Sequence, residues 1–178
     1  TIGNLFSANK ISEYLKSQRV DLLPKTILEY LTYLNNAYFV RRIRPVDIQG
    51  KKQFQIGEKY YFEDLGIRNA IRPFRATDIG QVLENVVCHH LLVYGYTLYI
   101  GRDGDKEVDF VAERNGERLY VQVAYSVIDA KTHEREFGNL LDIQDNYPKI
   151  VVTMDELEGV SYQGIKQISI RKFLLDWK

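Results

Sequence analysis

Two short runs, Lys106-Glu107-Val108-Asp109-Phe110-Val111 and Leu119-Tyr120-Val121-Gln122-Val123-Ala124-Tyr125, alternate in character on either side of Asn115-Gly116. Alternation with period 2 marks half-buried strands, and Asn-Gly between two such runs supplies the positive-φ pair that a tight hairpin turn requires. Side chains alternate across a strand, so Glu107, Asp109 and Val111 are expected on one face of the first strand and Tyr120, Gln122 and Ala124 on one face of the second. A carboxylate and an amide then meet on a shared surface. Magnesium prefers hard oxygen ligands and keeps several of its waters, so Asp109, the Gln122 oxygen and a backbone carbonyl would suffice to hold one ion. Hydrolysis also needs a group that polarises or orients the attacking water, and position 124 offers only a methyl group.

The elements around this hairpin predict an α/β chain, α+β overall, in two parts. Ser7 is a candidate N-cap for a helix to Ser17 carrying Ile11, Tyr14 and Leu15 at helical spacing. Pro24 suits the first turn of a second helix, on which Ile27, Leu28, Leu31 and Leu34 form an apolar stripe while Lys25, Glu29, Thr32 and Asn36 face away. Strand-like runs at 38–40 and 53–56 flank Arg41, Arg42, Arg44, Lys51 and Lys52 around Gly50, so helix, helix and a basic-tipped strand pair predict a winged helix over residues 1–72. Lys25 with the five tip residues is the candidate phosphate-contacting set, against the reading of a solvated loop. Three aromatics, Tyr60-Tyr61-Phe62, read as core or interdomain packing more readily than as a base-stacking platform.

Over 73–178 the pattern predicts a helix from Thr77, with a capping box of Asp78 and Gln81 and a C-terminal stop at Gly95. Strands follow at 97–100, 106–112 and 118–125, then a helix over 131–144, an apolar buried strand at 150–153, an edge strand at 167–170 and a helix ending near Trp177. Residues 155–163 are expected to be the least structured. Cys88-His89-His90 and His133 lack zinc spacing, because adjacent helix residues point about 100° apart.

The composition narrows the function classes. The net charge is +0, so any phosphate binding must come from local patches. One cysteine excludes an internal disulfide framework and fits a reducing cytoplasm, the expected location. No apolar run approaches the roughly 20 residues that cross a bilayer, and no membrane partner is expected. The chain begins Thr1-Ile2-Gly3-Asn4 in mid-pattern, and is expected to be a fragment of a longer protein.

With Glu84 on the opening helix, Asp109 on the second strand and Gln122-Val123-Ala124 on the third, the second part resembles the PD-(D/E)XK nuclease superfamily, a restriction-endonuclease-like fold around a central mixed sheet. The resemblance implies Asp109, Gln122 and Glu84 as catalytic and metal-binding positions, with Ala124 where the family carries lysine. Lys106, Lys131 and Arg135 are the candidates to replace that lysine. Lys59-Tyr60-Tyr61-Phe62-Glu63-Asp64-Leu65-Gly66, Gly80-Gln81-Val82-Leu83-Glu84-Asn85 and Glu107-Val108-Asp109-Phe110-Val111 together resemble the C-terminal region of a group of prokaryotic AAA-type ATPases. That implies an ATPase domain in the same chain as partner, with DNA or a further protein as ligand. No Gly-x-x-x-x-Gly-Lys-Ser/Thr loop occurs, so no ATP is expected on these residues. The reading that follows is a non-catalytic binding region with no cofactor of its own. The alternative is a Mg²⁺- or Mn²⁺-dependent deoxyribonuclease assisted by a displaced basic residue.

Overall fold

The computed structural model describes residues 7–49, 57–156 and 159–177. Two helices, α1 (Ala8–Ser17) and α2 (Pro24–Asn36), lead into β1 (Val40–Asp47), β2 (Lys59–Phe62) and α3 (Leu65–Ile71). A turn of 3₁₀-helix (Ala76–Asp78) precedes α4 (Ile79–Val93), β3 (Thr97–Asp103), β4 (Lys106–Arg114), β5 (Glu117–Val123) and α5 (Ala130–Leu141). The chain closes with β6 (Lys149–Thr153), β7 (Ser161–Tyr162), β8 (Ile165–Ser169) and α6 (Ile170–Asp176). It is an α/β protein and, among the described residues, has one mixed eight-stranded sheet in the order β2-β1-β3-β4-β5-β6-β8-β7.

Local chemistry explains most of these boundaries. The Ser7 side chain accepts from the Lys10 amide, Asp129 caps α5 through Thr132, and Ser169 caps α6 through Lys172. Helix α4 ends in a Schellman arrangement: Gly95, at φ +81°, donates to Leu92, and Tyr96 donates to Leu91. Asn115 and Gly116, at φ +54° and +82°, make the turn between β4 and β5. The expected capping box at α4 does not form, because the Asp78 carboxylate is held 2.5 Å from Arg68 Nη2 and leaves the helix amides alone. Within the segment expected to be least structured, Ser161–Tyr162 pairs with β8 and thereby takes the sheet edge expected for 167–170.

Strand β1 changes partner along its length. Val40–Ile43 pair antiparallel with β2, whereas Arg44–Asp47 pair parallel with β3. Pro45 falls in the second half, where β2 no longer runs alongside, so its missing N–H is tolerated. Arg41, Arg42 and Arg44 therefore lie within a strand and not at a loop tip, and Tyr60-Tyr61-Phe62 is the body of β2 and not a connector. The expected strand at 53–56, with Lys51 and Lys52, lies outside the described residues. The sheet crosses the boundary expected at 72/73, because β1 and β3 are hydrogen-bonded neighbours.

Two apolar layers sandwich the sheet. On one face Val87, Cys88 and Leu91 of α4 and Phe173 of α6 pack against Tyr61, Ile43, Phe110, Val121 and Val152. On the other, Phe137 and Leu140 of α5 pack against Val46, Val108, Val111, Tyr120 and Ala124. Among the described residues, no helix is long and apolar enough to cross a membrane.

Candidate functional site

Alternation on β2 buries Lys59 and Tyr61 together and leaves Tyr60 and Phe62 half-buried. Phe62 is held by α4: its N–H donates to Asn85 Oδ1, and its carbonyl accepts from Asn85 Nδ2 and contacts His89 Nε2 at 2.7 Å. These side chains cap the outer edge of the sheet, which would otherwise offer unpaired backbone groups. His90 Nε2 lies 2.8 Å from the Trp177 carbonyl, so Cys88, His89 and His90 serve packing and hydrogen bonding.

Docking β2 against α4 brings the Lys59 ammonium to Glu84. Lys59 Nζ stands 2.8 Å from Glu84 Oε1, 2.7 Å from Glu107 Oε1 and 3.5 Å from Asp109 Oδ1. Tyr61 donates to Glu84 Oε1 at 2.6 Å, and Arg102 pairs with Glu107 Oε2 at 2.8 Å. Lys59 is 2% exposed, and Glu84 and Asp109 are buried beside it. A lysine remote in sequence from the hairpin thus occupies the centre of its carboxylates.

A β-bulge aims Asp109. Tyr99 pairs with Val111 and Gly101 with Val108, so two steps along β3 match three along β4, and the extra residue falls in Asp109-Phe110. Val108 and Val111 consequently both pack on the α5 side, while Phe110 and Ala112 pack on the α4 side. This corrects the expected face of Glu107, Asp109 and Val111: the two carboxylates converge on Lys59 and Val111 does not accompany them. Gly101 sits opposite the bulge, where an added Cβ would meet Ile48 at 2.9 Å and Val108 and Val111 at 3.0 Å.

Asp109 and Gln122 touch, but not as a ligand pair. The Asp109 N–H donates to Gln122 Oε1 at 3.3 Å and the Val123 N–H donates to Asp109 Oδ2 at 2.9 Å. Gln122 Nε2 donates at 2.8 Å to Glu136 Oε2, and the other oxygen of this buried carboxylate pairs with Arg135. The carboxylate turns to Lys59 and the amide to α5. Ala124 is packed in the apolar layer with Val127 and Phe137.

Electrostatics follow this geometry. Burial alone would lower the Lys59 pKa, but Asp109, Glu84 and Glu107 outweigh it and hold the ammonium above its ordinary value. Burial, then the Glu84 charge, pushes Asp109 up to about 8 against the pull of Lys59 and the Val123 amide. Burial and Glu84 likewise raise the Tyr61 hydroxyl. Two cations, Lys59 and Arg102, face three carboxylates, and the one negative charge in excess agrees with the upward direction at Asp109.

The residues present fit a resident divalent ion poorly, because the Lys59 ammonium already lies against one oxygen of each of the three carboxylates. Among the described residues, no group of three or more His, Cys, Asp and Glu side chains is placed to hold a metal. Of the expected replacement cations, Lys106 pairs with Asp142, Arg135 with Glu136, and Lys131 is exposed on α5. The cation that arrives is Lys59. Its signal in the sequence was a lysine sharing a strand face with a tyrosine destined for the core. Tyr61, Glu107, Arg102 and Glu136 were likewise not singled out as site residues.

The expected phosphate-contacting residues lie elsewhere. Arg41 pairs with Glu63 at 2.8 Å, while Arg42 and Arg44 stand 3.8 and 3.7 Å from Glu58. Lys25 is exposed on α2. That helix departs from its expected stripe: Ile27 is buried, but Leu28 and Leu34 are exposed along with Tyr30 and Tyr33.

Residues 79–173 match the family described as Domain of unknown function (DUF4143), and residues 1–78 match Domain of unknown function (DUF8612). A protein of Haemophilus influenzae, described as an uncharacterized protein, is 37% identical over 176 residues, 99% of this chain and 42% of that protein. The chain thus spans less than half the length of the curated relative it matches. No solved structure matches it.

Proposed function

This chain belongs to the family described as Domain of unknown function (DUF4143), and from that premise we propose that it is a non-catalytic, protein-binding region of a prokaryotic AAA-type ATP-binding protein, built on a nuclease-like fold. The carrying observation is the Lys59 ammonium among Glu84, Glu107 and Asp109. A hydrolytic site needs open coordination positions for an ion and a water, and the Lys59 ammonium against one oxygen of each carboxylate supports the reading that they are not kept open here. Ala124 adds to this, since losing a water-orienting or acid-base group costs about 10²–10⁴ in rate. The ATPase and nuclease ancestry rests on the resemblance of the Lys59–Gly66, Gly80–Asn85 and Glu107–Val111 motifs. The length of the Haemophilus influenzae relative leaves room for another domain.

Protein is favoured over DNA as the ligand by the surface chemistry of the first part. Phosphate contact needs cations free to exchange counterions, and Arg41, Arg42 and Arg44 each lie beside a glutamate. The helix pair exposes Tyr14, Leu23, Leu28, Tyr30 and Tyr33, and its Lys10, Lys16, Arg19 and Lys25 are nearly offset by Glu13, Asp21 and Glu29. Large exposed apolar and aromatic side chains on one helix pair support a protein contact more than a phosphate track.

Incubation of the protein with linear and circular DNA plus Mg²⁺ or Mn²⁺ tests the reading. No cleavage is expected; cleavage that disappears in Asp109→Ala would overturn it. In a DNA-binding titration, affinity that falls steeply with salt and is lost on reversing Arg41 and Arg42 would transfer the ligand from protein to DNA.

One observation favours the second reading, a deoxyribonuclease with a displaced lysine: Lys59 Nζ lies 3.5 Å from Asp109. In that case Lys59→Ala would abolish cleavage by a protein that still folds.

A further inference from the structure

Backbone pairing attaches β2 to the rest of the molecule weakly. Its four residues pair with Val40–Ile43 of β1, and that half of β1 does not pair with β3. The ribbon of β2 and the first half of β1 therefore stands outside the main ladder. What fixes it over α4 is a set of side chains: Tyr61 in the core, Asn85 and His89 on Phe62, and Lys59 on three carboxylates from α4 and β4. Removing one partner from a buried charge cluster leaves the others uncompensated, which costs far more than removing a surface pair.

We infer that Lys59 is the built-in cation of the Glu84, Glu107 and Asp109 cluster, and that it latches the ribbon of β1 and β2 onto the α/β body where those carboxylates would otherwise repel one another. The regions matched by two separate families, 1–78 and 79–173, are joined across this latch. Glu84 comes from one turn inside α4, Glu107 and Asp109 from either side of Val108 on β4, and Lys59 from a strand outside both. The bulge at Asp109-Phe110 brings the third oxygen within reach. Arg102 holds the outer oxygen of Glu107, and Tyr61 shares Glu84 Oε1 with the ammonium. The inference rests on the non-catalytic reading, in which Lys59 serves the fold and not a reaction.

Charge compensation tests it in the full 178-residue chain. Lys59→Met is expected to lower the melting temperature at pH 8 by roughly 10 °C. Amide exchange at residues 59–62 is expected to accelerate at least tenfold more than at β6. Adding Glu84→Gln to Lys59→Met removes one repelling charge while keeping an acceptor for Tyr61, and is expected to recover part of the loss. A Lys59→Met protein that melts like the wild type, or a double variant less stable than the single, overturns the latch. If Lys59→Met gives no folded protein, the double variant decides alone: folding supports the latch and failure to fold overturns it. DNA cleavage by the wild type with Mn²⁺ would sink the non-catalytic reading while leaving these stability outcomes to judge the latch.

Discussion

Helices α2 and α4 are similar in length, 13 and 15 residues, and both carry apolar side chains at helical spacing. Yet α4 buries Leu83, Glu84, Asn85, Val87, Cys88 and Leu91, whereas α2 buries Ile27. The difference lies in what the chain sets against each helix. Helix α4 lies on a sheet whose strands expose a matching apolar face, while α2 meets α1, in which no residue is buried, and the start of β1. An amphipathic pattern records that a face is suited to burial; it does not say that the same chain covers it.

This contrast can be broken most readily at the core. Leu91→Ala should cost about 2–5 kcal/mol in a denaturant titration, because α4 and the sheet cannot collapse around the hole. Leu28→Ala on α2 should be nearly silent, and equal losses at the two sites would erase the distinction. Opposite the bulge, Gly101→Ala should cost about 1–3 kcal/mol, since the new Cβ would stand 3.0 Å from Val108 and Val111. A neutral outcome there would mean that β3 and β4 can shift without strain.

Asp109 sharpens the contrast through pH. Its folded pKa is raised to about 8 by burial first and by Glu84 second, so its contribution to stability is complete below the unfolded value and is lost as pH rises through about 8. From this group alone, stability should fall between about pH 4 and 8 by at most about 1.4 kcal/mol per pH unit. Asp109→Asn should flatten that slope in melts taken from pH 5 to 8, and an unchanged slope would remove Asp109 as its source. The smallest expected effect is on the exposed face: Tyr30→Ser with Tyr33→Ser should alter stability by less than about 0.5 kcal/mol per site while weakening partner binding. A large loss of stability would show that these tyrosines pack within the chain.

Much of the fold was legible because its signals are local. Asn115-Gly116 set the hairpin, Ser7 and Gly95 set helix ends, and Pro24 opened α2. Asp109 and Gln122 were found from strand alternation and Glu84 from the family resemblance, and the structure does place Glu84 and Asp109 in one cluster. The details that failed share a cause. Strict alternation put Val111 with the carboxylates, but one extra residue in β4 rotates everything beyond it to the other side. The apolar stripe on α2 was expected inside because period alone cannot identify a partner.

From the amino-acid order alone came the α/β class, the hairpin, the carboxylates on α4 and β4, and the methyl group at 124. These are properties of neighbours along the chain, set by φ preferences, caps and side-chain alternation. Tertiary structure decided which cation those carboxylates face. Lys59 reaches Glu84 across 25 positions and Asp109 across 50, through the partner change of β1 and the docking of β2 on α4. Buried charge must be neutralised by whatever the fold brings within about 4 Å, and that proximity is set by long-range pairing that no local pattern encodes.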